Sequence, residues 1–175
     1  MITTTLNKIK KEPFTNEEFV KIIACLGEEP IPLTTILEIS GLDFTLRCLK
    51  AVRGADKEMR LFAVDCARQV QHLITDQRSL DLLDVAERFA NGEASWDDLA
   101  IASSAPGEVV CEMVCDATRP DAWLAAVTAA KSAAWYAACD AIKDITCDKT
   151  CDETWKTTRN AIRAKQEELF IKHFG

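Results

Sequence analysis

The feature that most constrains the fold is a run of alanine pairs between residues 120 and 141, a stretch that contains ten alanines. The pairs recur every four residues, so in an α-helix they form one continuous strip of small side chains. Such a strip lets neighbouring helices approach closely, because the distance between helices depends on the side chains at the contact. The pattern therefore predicts a closely packed helix that begins at Pro120 and Asp121. The pairs are Ala125-Ala126, Ala129-Ala130, Ala133-Ala134 and Ala137-Ala138.

The other long segments also have apolar residues at helical spacing, and none shows the sustained alternation of a β-strand. The clearest is 56–74, where apolar residues recur every three or four positions and predict a buried helix face. Asp76 is placed to cap a helix that runs to Ala90, and Asn91-Gly92 to close it in the left-handed conformation. Further helices are predicted from Thr15 to the residues before Gly27, over 34–39, 44–52 and 96–102, from Pro106 through Cys115, and over roughly 154–173.

Six or more short helices joined by brief connections are typical of an all-α protein. We expect an irregular multi-helix bundle or a short helical solenoid of antiparallel helix pairs. The length of 175 residues is typical of one domain, and no linker rich in proline, glycine or serine divides the chain. The sequence therefore predicts a single all-helical domain over residues 1–175, with residues 1–14 as a flexible arm.

The apolar runs and the cysteines indicate the compartment. No stretch approaches the roughly 20 apolar residues of a membrane span, and Met1–Phe14 lacks the apolar core of a signal peptide. We expect a soluble, cytoplasmic protein without membrane contact, whose eight cysteines stay reduced.

Cys111 and Cys115 have apolar neighbours and are expected in the core, whereas Cys147 and Cys151 lie in polar sequence and are expected to be partly exposed. These four thiols could hold zinc, but they lack Cys-x-x-Cys spacing, and no cofactor is expected.

The net charge of −7 is unevenly distributed along the chain. Residues 1–75 are neutral overall, residues 76–153 carry sixteen acidic and six basic side chains, and residues 154–175 carry two acidic and five basic ones. Proteins that bind nucleic acid regardless of sequence need a positive surface. The distribution argues against direct nucleic-acid binding and is compatible with an acidic face that meets a basic partner.

Two residues are candidates for catalysis, and each has a structural alternative that we favour. Asp65 lies in apolar sequence, where a carboxylate is either catalytic or, more often, half of an ion pair. His72 is either a general base or a surface residue near a helix end. The chain has no glycine loop that could bind phosphate and no Glu-x-x-His metal motif, which favours a protein that is not an enzyme. The predicted partners of Asp65 are Arg68, three residues further on, and Arg47, Arg60 and Arg88.

Four aspartates form the surface that we predict to bind a partner: Asp140, Asp144, Asp148 and Asp152. They follow one another at intervals of four, so an unbroken helix would place them on one face. Like charges at this spacing destabilise a helix by a few tenths of a kcal/mol per pair, and recognition of a basic partner would account for that cost. The alternatives are a solvated face relieved by neighbouring lysines, or a helix that breaks near residues 146–148.

A resemblance to a known family is carried by Gly41–Ala51, Arg60–Arg68, Ala86–Ser95 and the alanine and tryptophan run at 122–138. Its most specific part is Leu61-Phe62-Ala63-Val64-Asp65-Cys66-Ala67. Over roughly residues 41–140 the chain resembles the immunity proteins that are associated with bacterial polymorphic-toxin systems and are also found in phage genomes.

The resemblance implies an all-helical protein that neutralises a protein effector, either a toxin or a host defence complex, by direct stoichiometric binding. Phage carriage makes an anti-CRISPR-like inhibitor the main variant. The resemblance transfers no catalytic residue to this chain. The alternatives are a helical-repeat adaptor or homo-oligomer held together by the alanine strip, and an enzyme of unknown class.

Overall fold

The structure is a computed structural model that describes residues 1–9, 29–104 and 112–175. Within these ranges it contains eight α-helices and one short ribbon of two strands, so the predicted all-α class and multi-helix bundle are confirmed. The predicted helix from Thr15, and the predicted start of a helix at Pro106, lie outside the described residues. The elements are β1 Thr3–Thr4, α1 Leu6–Ile9, β2 Ile31–Pro32, α2 Leu33–Cys48, α3 Asp56–Arg68, α4 Gln77–Asn91, α5 Trp96–Ser104, α6 Glu112–Ala117, α7 Ala122–Ile142 and α8 Asp148–Phe174.

The alanine helix α7 is the element around which the bundle packs. It contacts α3 and α8 along its length, and it also packs against α6. All eight alanines of the four pairs are buried, and Ala125, Ala129 and Ala133 are among those with no exposed surface. Because these side chains end at Cβ, neighbouring helices can approach α7 from more than one side.

The sequence signals for helix starts and stops are confirmed at several positions. Gly41, at φ 72°, interrupts α2 and separates the two short helices that the sequence predicts there. The Asp76 side chain accepts the amide N–H of Ser79 at 3.2 Å, and Gly92 closes α4 in the left-handed conformation. Ser95 and Asp98 cap each other's amides at the start of α5, at 2.7 and 3.1 Å.

The amphipathic helix α3 is shorter than predicted, because it ends at Arg68 and a 3₁₀ helix over Gln71–Leu73 replaces its last turn. The predicted buried face is nevertheless correct. A tightened last turn still directs Val70 into the core while it redirects the chain toward α4. Of the predicted face, Met59, Phe62, Cys66 and Val70 are buried and Leu73 is partly buried.

The start of the chain does not form a free arm in its described part, residues 1–9. Strand β1 pairs antiparallel with β2, and the Ile2 amide donates to the carbonyl of Phe174 at 3.0 Å. Leu6 and Ile9, one helical turn apart, bury their side chains in the core. The burial of these two apolar side chains is the physical reason why the segment docks.

Three phenylalanines attach the end of α8 to α3. The Phe62 ring lies 5.7 Å from Phe170 and 5.9 Å from Phe174, measured between ring centroids, and all three side chains are fully buried. In α8 the buried residues are Gln166, Phe170 and Phe174, all in its C-terminal half. In the first half of α8, every side chain is exposed or partly buried.

We predict that Ala129→Leu lowers the free energy of unfolding by about 1–3 kcal/mol, because three added carbons have no space between closely packed helices. Denaturant unfolding followed by circular dichroism measures the change. Ala100→Leu, on the exposed surface of α5, is the matched control and should stay within about 0.5 kcal/mol of the wild type. An Ala129→Leu variant as stable as this control would contradict close packing along α7.

Candidate functional site

The four aspartates predicted to bind a partner lie at the turn between α7 and α8. Helix α7 ends at Ile142 and α8 begins at Asp148, so the unbroken helix is wrong and the alternative of a break is confirmed. Asp140 is in the last turn of α7, Asp144 in the connection, and Asp148 and Asp152 in the first turns of α8. The break avoids stacking like charges along one helix and places Asp148 at a helix N-terminus, where a carboxylate is favoured.

These aspartates differ in exposure. Asp144, Asp148 and Asp152 are exposed, whereas Asp140 is partly buried and pairs with Lys143 at 2.9 Å. The four carboxylates therefore belong to one end of a helical hairpin, which we call the acidic turn. Whether the acidic turn binds a partner stays a prediction.

An exposed tryptophan lies beside the acidic turn. Within α7, whose residues are all described, Trp135 is the one large apolar side chain that is exposed, at 56%. Its ring meets that of Trp155 from α8 at 5.8 Å in an edge-to-face arrangement. The Arg159 guanidinium lies 5.7 Å from the Trp155 ring centroid. We call these three residues the aromatic patch.

A cleft of about 630 Å³ opens next to the aromatic patch, between α2, α7 and α8. Four cationic side chains and one carboxylate line it, so its formal charge is +3 in a chain whose net charge is −7. We call it the basic cleft. Its lining includes Asp43, Arg47, Lys131, Ser132, Trp135, Tyr136, Arg159 and Arg163.

Arg163 forms the fixed part of the basic cleft. Its side chain is only 11% exposed, forms an ion pair with Asp43, and donates to the Oε1 atom of Gln166 at 3.1 Å. Gln166 is fully buried and donates its own Nε2–H to the carbonyl of Ala130 at 2.8 Å. A continuous set of hydrogen bonds thus connects this guanidinium to the backbone of α7.

The basic cleft was not predicted from the sequence, although part of its signal is present there. Lys131 and Trp135 are four residues apart and are large side chains within the alanine run, so they share a face of α7. Trp155, Arg159 and Arg163 have the same spacing on α8. What the spacing cannot show is that these two faces meet, or that Arg47 of α2 joins them.

Asp65 forms an ion pair as predicted, but the four arginine partners proposed for it are wrong. Its Oδ2 atom is 2.8 Å from Lys172 Nζ and 2.8 Å from His173 Nε2, both on α8. The hydrogen bond from His173, together with that from Lys172, holds the pKa of Asp65 below its ordinary value. Arg68, the nearest predicted partner, instead pairs with Asp84 and Glu87 of α4, which packs beside it.

The structure also locates His72 and three of the four cysteines discussed above. His72 is exposed on the 3₁₀ helix after α3, which confirms its prediction as a surface residue. Cys147 is exposed and Cys151 partly buried, as predicted. Cys115 is exposed, so its core prediction is wrong: Val114 and Ala117 take the buried positions of the short helix α6. Cys111 lies outside the described part of the chain.

The remaining cysteines and the acidic residues give no metal site in the part of the chain that the structure describes. Cys48 and Cys66 are buried, and burial raises the pKa of the Cys48 thiol to about 12. All six described cysteines are free thiols. Over the same residues, no three His, Cys, Asp or Glu side chains are arranged to hold a metal ion. None of the described helices combines the length and the apolar character of a membrane span.

We predict that Asp65→Asn lowers the free energy of unfolding at pH 7 by roughly 1.5–3 kcal/mol, the range for hydrogen bonds to a charged group. Because the folded-state pKa is depressed, this stabilisation is present above about pH 4 and is lost as the pH falls through the folded value. Urea unfolding between pH 3 and 7 should show a weaker pH dependence for the variant. Asp84→Asn, which removes an exposed ion pair, is the control and should cost below about 1 kcal/mol.

We predict that Cys147 is alkylated before the other described cysteines. It occupies the N-cap position of α8, where hydrogen bonds from Thr150 and the Lys149 amide lower its pKa. Limiting iodoacetamide followed by peptide mass spectrometry measures the order of labelling. In denaturant the preference should disappear. Equal labelling of Cys147 and Cys151 in the folded protein would contradict it.

The geometry of the site can be compared with known proteins. No family model, curated protein or solved structure matches this chain. Three surface features of the described residues are the structural basis for a function: the acidic turn, the aromatic patch and the basic cleft.

Proposed function

We propose that the protein is an immunity-type or anti-defence inhibitor, which neutralises a protein effector by direct stoichiometric binding through the end of the α7–α8 hairpin. The observation that carries the proposal is Trp135, which is 56% exposed and is the one exposed large apolar side chain of α7. Tryptophan and arginine are the side chains that most often dominate binding energy at protein interfaces. The aromatic patch supplies two tryptophans and Arg159 at one place.

The acidic turn supports a basic partner. Asp148 and Asp152 are exposed in the helical turns that lead to Trp155, so carboxylates border the aromatic patch. An apolar and aromatic centre with a charged border is the usual arrangement of a binding surface. Carboxylates at the border accelerate association with a positively charged protein and disfavour acidic competitors.

The resemblance over residues 41–140 is the basis for an immunity-type role of the protein, and it includes Trp135 but not the part of this surface that follows Asp140. A toxin is the effector in the bacterial form of the proposal, and a host defence complex is the effector in the phage, anti-CRISPR-like form. The alternative of a homo-oligomer is less favoured by charge, because a two-fold contact through this end of the hairpin would bring two acidic turns together. A heterologous basic partner avoids that repulsion.

The test is a titration of a candidate toxin or defence complex with this protein. Inhibition should be complete at a fixed molar ratio, and complex formation should be visible by light scattering. Trp135→Ala should weaken binding by about 2 kcal/mol or more, the usual range for a central aromatic side chain. Inhibition at far less than stoichiometric amounts would point to an enzyme and would contradict the proposal.

Charge reversal tests the acidic turn separately. We predict that Asp144→Lys, Asp148→Lys and Asp152→Lys together slow association by about tenfold or more at low salt, and that added salt reduces the difference. The matched control reverses three exposed acids on α4, on α5 and in the connection between them, Asp81→Lys, Glu93→Lys and Asp97→Lys, and so changes the net charge equally. If both triple variants associate at the same rate, the acidic turn is not the contact surface.

A further inference from the structure

We propose that the basic cleft binds a phosphorylated small molecule with an aromatic ring, of the size and chemistry of a mononucleotide. The proposal rests on the cleft alone and does not depend on the proposed inhibition of an effector. Its basis is that cations from α2, α7 and α8 converge on one concave space, whose rim carries the exposed ring of Trp135.

Within the described part of the chain, the cations of the cleft have too few carboxylates as ion-pair partners to neutralise their charge. Arg163 pairs with Asp43, but no described carboxylate forms an ion pair with Arg47, Lys131 or Arg159. Like charges that share a cleft repel one another, and a bound anion relieves that repulsion. A phosphate chain with two or more negative charges would match the +3 formal charge of the lining.

The arginines are positioned before any ligand arrives. Arg163 is held by Asp43 and by Gln166, and the guanidinium groups of Arg47 and Arg159 lie 6.0 and 5.7 Å from the ring centroids of Phe44 and Trp155. A planar guanidinium offers paired N–H donors that fit two oxygens of one phosphate. Arg163 in particular has little side-chain freedom left to lose on binding, which favours affinity.

The aromatic part of the ligand would meet Trp135. This ring contacts Trp155 edge to face, yet more than half of its surface remains in solvent. Stacking on an aromatic side chain is the common, base-independent way in which proteins hold a nucleotide base. The cleft volume of about 630 Å³ lies within the range of small-molecule sites.

The surroundings favour a short ligand over a nucleic-acid strand. Asp152 precedes Trp155 by one helical turn, and Asp140 follows Tyr136 by one turn, so the acidic turn begins where the cleft ends. A strand that continued past the cleft on this side would bring its phosphates against these carboxylates. A mononucleotide places all its charge inside the cleft.

The experiment measures binding to the full chain by isothermal titration calorimetry with four probes: ATP, inorganic triphosphate, adenosine and a single-stranded oligonucleotide. ATP should bind saturably at one site, about tenfold or more tighter than triphosphate or adenosine, because each carries only half of the recognised chemistry. Added salt should weaken ATP binding. Tryptophan fluorescence should change with ATP at the same midpoint.

Two substitutions locate the site. Lys131→Gln changes an exposed side chain, so the fold should survive, and it should weaken ATP binding about tenfold. Trp135→Ala should weaken ATP binding without changing triphosphate binding. Lys57→Gln, an exposed lysine on α3 away from the cleft, is the charge-matched control and should bind ATP like the wild type.

Three outcomes would overturn the proposal. The first is no saturable ATP binding by the folded protein, and the second is ATP binding that Lys131→Gln and Trp135→Ala leave unchanged. The third is an oligonucleotide that binds more tightly than ATP through the same residues, which would make the cleft a nucleic-acid groove. None of these results depends on an effector, so the absence of ATP binding would not contradict the inhibitor proposal. If no effector is inhibited, the ATP-binding measurements still test the cleft.

Discussion

The close approach of helices to the alanine face of α7 is the packing interaction on which the rest of the structure depends. It brings α3 and α8 to the same helix, and this allows Phe62 to meet Phe170 and Phe174. The polar contacts follow from that geometry. Gln166 reaches the Ala130 carbonyl only because α8 lies directly on the strip, and Asp65 reaches Lys172 because α3 and α8 share it.

Signals that act within a few residues could be predicted from the sequence. The alanine repeat, the cap at Asp76, the left-handed Gly92 and the buried face of α3 each depend on neighbours along the chain, and each is confirmed. The partner of Asp65 could not be predicted, because Lys172 lies on a helix whose position is decided by packing. For the same reason Arg47, Lys131 and Arg163 gave no sign of a common cleft. Whether the helix breaks between Asp140 and Asp148 depends on the balance between helix propensity and the repulsion of like charges. The spacing of the aspartates alone does not decide that balance.

The two charged surfaces have opposite signs and lie next to each other on one hairpin. The aromatic patch lies between them, with Arg159 and Trp135 also lining the basic cleft and Asp152 one turn before Trp155. A protein bound at the acidic turn and a small anion held in the cleft would therefore share the same tryptophan. A ligand bound at one surface would therefore change the binding affinity of the other surface through direct contact, without any conformational change in the bundle.

The bond between the Ile2 amide and the Phe174 carbonyl has a consequence for how the molecule opens. Terminal segments usually fray independently and exchange their amide hydrogens first. Here Ile2, the residue before β1, bonds to the end of α8, and the Leu33 amide donates to the carbonyl of Ile2 at 3.0 Å, so three distant segments share one small set of hydrogen bonds. The two ends of the chain thus belong to a single unit of local unfolding. Release of the N-terminal segment leaves the Phe174 carbonyl without the Ile2 amide, and release of the end of α8 leaves that amide without its acceptor.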